Sequence, residues 1–109
     1  MANSYKILGQ LEPTPNALTN LYVTGASASA IVSALTITNL TDSNASYSLI
    51  VRPINEALSN KHFIIRAGFL PGREQITISS ALTMNSSVIL AANTWNPNVA
   101  FQAYGAEIT

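Results

Sequence analysis

Ile31-Val32-Ser33-Ala34-Leu35-Thr36-Ile37-Thr38 is followed by Thr41-Asp42-Ser43-Asn44 and then by Ser46-Tyr47-Ser48-Leu49-Ile50-Val51-Arg52. In the first run Ile31, Leu35 and Ile37 fall on odd positions with Ser33, while Thr36 and Thr38 lie between them. In the last run Tyr47, Leu49 and Val51 alternate with Ser46, Ser48 and Arg52. A period of two is the signature of a strand with one face in a core, since successive side chains on an extended chain point to opposite sides. The intervening Thr-Asp-Ser-Asn supplies turn chemistry, so the two runs predict a β-hairpin.

The same rhythm continues in both directions. Lys61 to Arg66 reads as a β-branched and aromatic strand, punctuated afterwards by Gly68 and Pro71-Gly72. Ile76 and Ile78 alternate with Thr77 and Ser79, and Val88, Leu90 and Ala92 share one face. Val99, Phe101 and Ala103 alternate with Ala100, Gln102 and Tyr104 across the turn-rich Asn93-Thr94-Trp95-Asn96-Pro97-Asn98, which predicts a second hairpin. Tyr5 to Gln10 and Leu21 to Thr24 flank the bend at Pro13-Thr14-Pro15-Asn16. Helix is expected only as a turn or so within Pro53 to Asn60. About eight short strands with frequent turns predict an all-β chain: one antiparallel β-sandwich, or a jelly-roll-like relative, spanning residues 1–109.

Composition narrows the function classes. Only 9% of the 109 residues are charged, against about 25% in ordinary soluble domains, and five cations balance five anions. No basic field is present to attract phosphate backbones, so nucleic acid is not an expected partner. A surface with so little charge offers little repulsion between copies and favours association. Cysteine is absent, which removes disulfides and thiolate chemistry. An apolar run such as Val88 to Ala92 is far short of the roughly 20 residues that span a membrane. Nothing at Met1-Ala2-Asn3-Ser4 reads as an export leader.

Catalytic equipment is not legible. A nucleophilic triad would need the single histidine, His62, which reads as a packing or surface residue. Glu12, Asp42, Glu56, Glu74 and Glu107 are far apart in sequence and show neither metal-ligand spacing nor a carboxylate pair. Gly68 and Gly72 lack the Gly-Lys-Ser/Thr ending of a phosphate loop. No enzyme activity, metal or cofactor is expected, and function is expected to lie in surfaces. Trp95, in its predicted loop, is read either as folded back over the sandwich or as an interface anchor or sugar-stacking platform. Tyr22, Tyr104 and Phe69 complete the candidate interface residues.

Met1 to Gln10, Val51-Arg52-Pro53 with Asn60-Lys61-His62-Phe63-Ile64, and the closing Phe101 to Ile108 resemble small structural proteins of tailed bacteriophages, particularly those of cyanobacteria. The resemblance implies a β-rich virion component made in the host cytoplasm and present in many copies. Its expected role is capsid decoration or cementing, with other copies and the major capsid protein as partners. The alternative is a tail, baseplate or fibre-associated module, contacting a tail protein or binding a host-surface glycan through Trp95.

Overall fold

The computed structural model describes residues 3–79 and 82–108, Asn3 and Ser4 by their backbone alone. The described residues form nine strands: β1 (Asn3–Leu11), β2 (Thr19–Val23), β3 (Ser29–Asn39), β4 (Ala45–Pro53), β5 (Phe63–Leu70), β6 (Gln75–Ile78), β7 (Leu82–Met84), β8 (Val88–Thr94) and β9 (Val99–Ile108). One sheet runs β1-β9-β3-β6, with β7 also on β3. The other runs β2-β8-β4-β5. β6 and β7 occupy successive stretches of the same strand, Leu35–Thr38 and Ala30–Val32 of β3, so nine strands fill eight places.

The pairings follow one rule. Leu11 pairs with Phe101, Thr19 with Ala92, Ala30 with Met84, Leu35 with Ile78, Ala45 with Leu70 and Ile50 with Phe63. As one partner advances along the chain the other retreats by a similar number. The chain is therefore a single long antiparallel ribbon, folded back beyond Pro53 and rolled until β3 meets β9 and β4 meets β8. That is the jelly-roll arrangement of two packed sheets.

This topology corrects both expected hairpins. β3 and β4 lie in opposite sheets, as do β8 and β9. The chain does bend at Thr41–Ser43 and at Trp95–Asn98, Asn93 and Thr94 still belonging to β8, but each bend carries the chain across the sandwich rather than back along a neighbour. Two consecutive strands that each bury one face satisfy their alternation equally well side by side or face to face. Only β4 and β5 form a sequential pair within one sheet.

The core forms where the inward faces meet. Leu35, Ile37, Phe101 and Met84 come from the five-stranded sheet, and Leu49, Leu70 and Leu90 from the four-stranded one; each is essentially inaccessible to water. Burying such side chains stabilises by roughly 1.5–3 kcal/mol apiece. Tyr47 meets Phe101 edge to face at 6.3 Å, joining the two layers.

The expected inward position of Ile31 is also overturned. Val32 pairs with Gly105 and Ala34 with Tyr104, leaving Ser33 as an extra residue in β3. This β-bulge shifts the phase of alternation: Ala30 and Val32 point inward before it, Leu35 and Ile37 after it, and Ile31 turns to solvent. Two further boundaries differ from expectation. Asn60–His62 forms a 3-10 turn and β5 begins only at Phe63. Gly68 lies inside β5, and the left-handed residue is its neighbour Ala67, at φ 55°.

Candidate interaction surface

The register of the five-stranded sheet dictates what its outer side presents. With Leu35, Ile37, Phe101 and Ala103 inward, Thr36, Thr38, Gln102 and Tyr104 must point outward. Thr36 pairs with Thr77, Thr38 with Gln75, and Gln102 with Gln10, continuing the hydroxyl- and amide-bearing half across four strands. Towards the other end the face turns apolar. Tyr5, Ile31, Tyr104, Ala106 and Ile108 line a shallow groove of about 420 Å³, with Ser33 beside them and Lys6 at the rim. Tyr5 is 82% exposed and Ile7 52%. The Tyr104 hydroxyl donates to Oε1 of Gln102, linking the two halves.

Apart from Lys6 at the rim of the groove, the charged side chains of the described residues lie away from this face. Lys6 turns to Glu107, at 2.9 Å, and Tyr22 donates its hydroxyl to the other carboxylate oxygen at 2.5 Å. This trio joins β1, β9 and β2 at the end of the sandwich where the inward faces run out. Burial and the bond to Glu107 push the Tyr22 hydroxyl well above its ordinary range. The Tyr22 and Lys6 bonds hold Glu107 below the usual carboxylate value. Arg73 meets Asp42 between two turns, with Glu74 beside it, and Glu12 follows β1. Arg52, Glu56, Lys61 and Arg66 gather around the 3-10 turn beside the other sheet.

The four-stranded sheet carries a different surface. Trp95 is 44% exposed and closes a cleft of about 150 Å³ against Leu18, Ile50, Leu58, Phe63 and Arg66. The Arg66 guanidinium lies 5.1 Å from the Phe63 ring centre, within cation–π reach. The Trp95 backbone N–H donates to the carbonyl of Ser46, and Ser46 pairs with Phe69 on its other side. Trp95 and Phe69 therefore flank β4. Phe69 is 62% exposed.

The four candidate residues thus do not form one site. Tyr104 belongs to the uncharged face, Trp95 and Phe69 to the opposite sheet, and Tyr22 to the polar seal between the layers. Tyr5, Ile7 and Ile31 were missed because their exposure depends on which face of a bulged strand they occupy. The absence of charge from alternate positions of β3, β6 and β9 was the available signal, but only the pairing shows that those positions share one surface.

His62 has a structural task. Its Nδ1 accepts the Ser59 backbone N–H at 3.0 Å, while Nε2 faces Glu56 Oε1 at 3.3 Å. With Nδ1 accepting, the proton resides on Nε2 and is directed at the carboxylate. The Lys61 bond first, and His62 after it, hold Glu56 below the usual carboxylate value. Among the described residues no group of three or more His, Asp or Glu side chains could hold a metal, and no helix is long and apolar enough to cross a membrane.

No family model matches the chain, and no curated protein matches it by sequence. Its fold is similar to that of a chain in a solved structure described as the acidic stable capsid structure of Helicobacter pylori bacteriophage KHP30. The TM-score is 0.55 at 12% identity, over 100% of this chain and 89% of that one. At that identity the likeness is one of fold.

Proposed function

We propose that this chain is a non-enzymatic structural protein of a phage particle, and within that class a capsid decoration or cement protein. It acts by seating the outer face of its five-stranded sheet against other copies and the major capsid protein. The observation that carries this reading is that, among the described residues, the positions pointing out from that face carry no ionised side chain, from Tyr5 and Gln10 on β1 to Gln75 and Thr77 on β6, and the one charge at its rim, Lys6, is paired with Glu107. Interface centres are depleted in charge and enriched in aromatic residues, because a charge desolvated without a partner is costly. Tyr5 and Tyr104 supply apolar area, and the Thr and Gln half supplies donors and acceptors for a neighbouring backbone. The fold shared with a chain from a phage capsid structure supports the same reading.

Separation of purified particles into heads and tails tests the location: the protein is expected with heads. Recovery with tails alone, together with glycan binding lost in Trp95→Ala, would instead support a tail module. Thr36→Lys tests the face itself. Thr36 lies in the middle of the sheet with its neighbours Thr77 and Gln102 on either side, so a lysine there is accommodated by the isolated fold. Incorporation into particles should fall at least tenfold with thermal unfolding unchanged; full incorporation would remove this face from the contact.

A further inference from the structure

The sheets end in edge strands, and all but one of these edges are blunted. β2 is five residues long, is interrupted by a register shift at Leu21, and is approached so closely by β1 at Gly9 that a Cβ there would strike the Leu21 carbonyl. β5 carries two register shifts, the left-handed Ala67 and the exposed Arg66. β6 and β7 are short separate strands of four and three residues. Such shortness, bulges and charge are the usual guards against edge-to-edge pairing.

β1 between Asn3 and Ile7 has only one of them, the charge of Lys6. These five residues pair with β9 in unbroken register, from Asn3 with Ile108 to Ile7 with Tyr104, and the first shift comes only after Ile7. No proline interrupts them, and among the described residues β1 is hydrogen-bonded to β9 alone. Alternate N–H and C=O groups therefore face outward from a straight edge beside two exposed apolar side chains, Tyr5 and Ile7. The one charge in the run, Lys6, is turned to Glu107 on its own chain.

We infer that this edge pairs antiparallel with the same edge of a second copy, joining two five-stranded sheets into one continuous sheet. Its register is set by the run itself. Antiparallel pairing about a two-fold axis normal to the sheet places residues of the same face opposite one another, so the centre falls on a residue. Tyr5 is the midpoint of Asn3 to Ile7, and only pairing centred there engages all five residues: Tyr5 faces Tyr5 of the second copy, and Lys6 faces Ser4. A shift that centred the pair on Lys6 would set two ammonium groups directly opposite, which is destabilising. A second copy fits better than a foreign strand on the same ground, because this axis keeps both uncharged faces on one side of the joined sheet.

The chain contains no cysteine, which makes single-cysteine cross-linking a clean test. Directly opposed residues in an antiparallel pair have Cα atoms roughly 4.5–5.5 Å apart, within disulfide range. Tyr5 is almost fully exposed, so Tyr5→Cys leaves the fold intact. Under mild oxidation the purified Tyr5→Cys chain is expected to form a disulfide dimer at least tenfold faster than Thr77→Cys, which places the thiol on the opposite edge strand of the same face. Wild-type protein is expected to show a concentration-dependent dimer in sedimentation equilibrium. Equal cross-linking rates, or a wild-type chain that stays monomeric at high concentration, would overturn the inference. So would Tyr5→Cys cross-linking only to a different protein within particles. Because the rate comparison and the sedimentation measurement use the isolated chain, their failure is distinguishable from a failure to find the protein in heads.

Discussion

Gly105 lies directly against the backbone carbonyl of Ile31, so closely that a Cβ at position 105 would collide with that oxygen. The contact sits at the β3 bulge, where Ser33 is the extra residue and its hydroxyl donates to the Tyr104 carbonyl at 3.2 Å. Because the obstacle is backbone within a paired sheet, it cannot swing aside as a side-chain tip would. Gly105→Ala is therefore expected to destabilise by about 1–3 kcal/mol or more, read as a lowered midpoint in urea unfolding. A variant as stable as wild type would mean that the bulge is loosely held.

Asn39 is 1% exposed, and its amide donates to the carbonyls of Ser43, Leu70 and Pro71 while its Oδ1 accepts from the Thr41 backbone and hydroxyl. It ties the crossing from β3 to β4 to the turn that follows β5. Asn39→Ala strips this amide from a buried site and takes its donor from the Leu70 carbonyl, while the Ser43 carbonyl keeps the Thr41 hydroxyl and the Pro71 carbonyl keeps the Glu74 N–H, so the cost is roughly 1–3 kcal/mol in chemical unfolding. Hydrogen exchange should also accelerate at Thr41 and Arg73, whose N–H groups are held in these turns. Unchanged exchange there would contradict the clamp.

Glu107 ties stability to pH. Its carboxyl is held below the ordinary value of 4.5 by the Tyr22 hydroxyl first and Lys6 second. It ionises more readily in the folded chain, so its contribution is present above the ordinary carboxylate range and is lost as pH falls through the lowered folded value. Tyr22 acts in the opposite sense: burial, then Glu107, raises its pKa, so its contribution holds below the ordinary 10.0 and declines as pH rises beyond it. Melting temperature against pH should fall less steeply on the acid side in Glu107→Gln and less steeply on the alkaline side in Tyr22→Phe. Glu56, lowered by Lys61 and His62, leaves some acid slope in both variants.

Trp95 is half outside the chain's own packing, and the core side chains of β8 and β9 close without it. Trp95→Ala is expected to retain the fold and lose about 1–2 kcal/mol, less than the 3–5 kcal/mol typical of a fully buried aromatic. We expect the exposed half of the indole to be covered by another chain, so that assembly weakens by about 2 kcal/mol or more. Calorimetry of the isolated chain alongside a particle-incorporation assay separates the two effects. A variant that unfolds outright would make Trp95 a core residue.

Strand existence was legible from alternation because a half-buried strand repeats every two residues wherever its partner lies. Thr36, Ile37 and Thr38, or Phe101 and Gln102, needed no knowledge of the rest of the chain. Pairing was not legible, and the expected hairpins at Thr41–Asn44 and Asn93–Asn98 join opposite sheets instead. The phase of β3 was misread for a related reason: Ser33 is an ordinary residue in sequence and becomes a bulge only opposite Gly105 and Tyr104.

By itself the sequence determined an all-β chain with little charge and no cysteine. These are properties of local periodicity and composition, and they survive any arrangement of the strands. Tertiary structure alone decided that Tyr5, Ile31 and Tyr104 share a groove and that Thr36, Thr77 and Gln102 lie in one row. Residues far apart along the chain become neighbours only through register. A one-residue bulge reverses which side each strand shows to water, and no local signal in the chain records that choice.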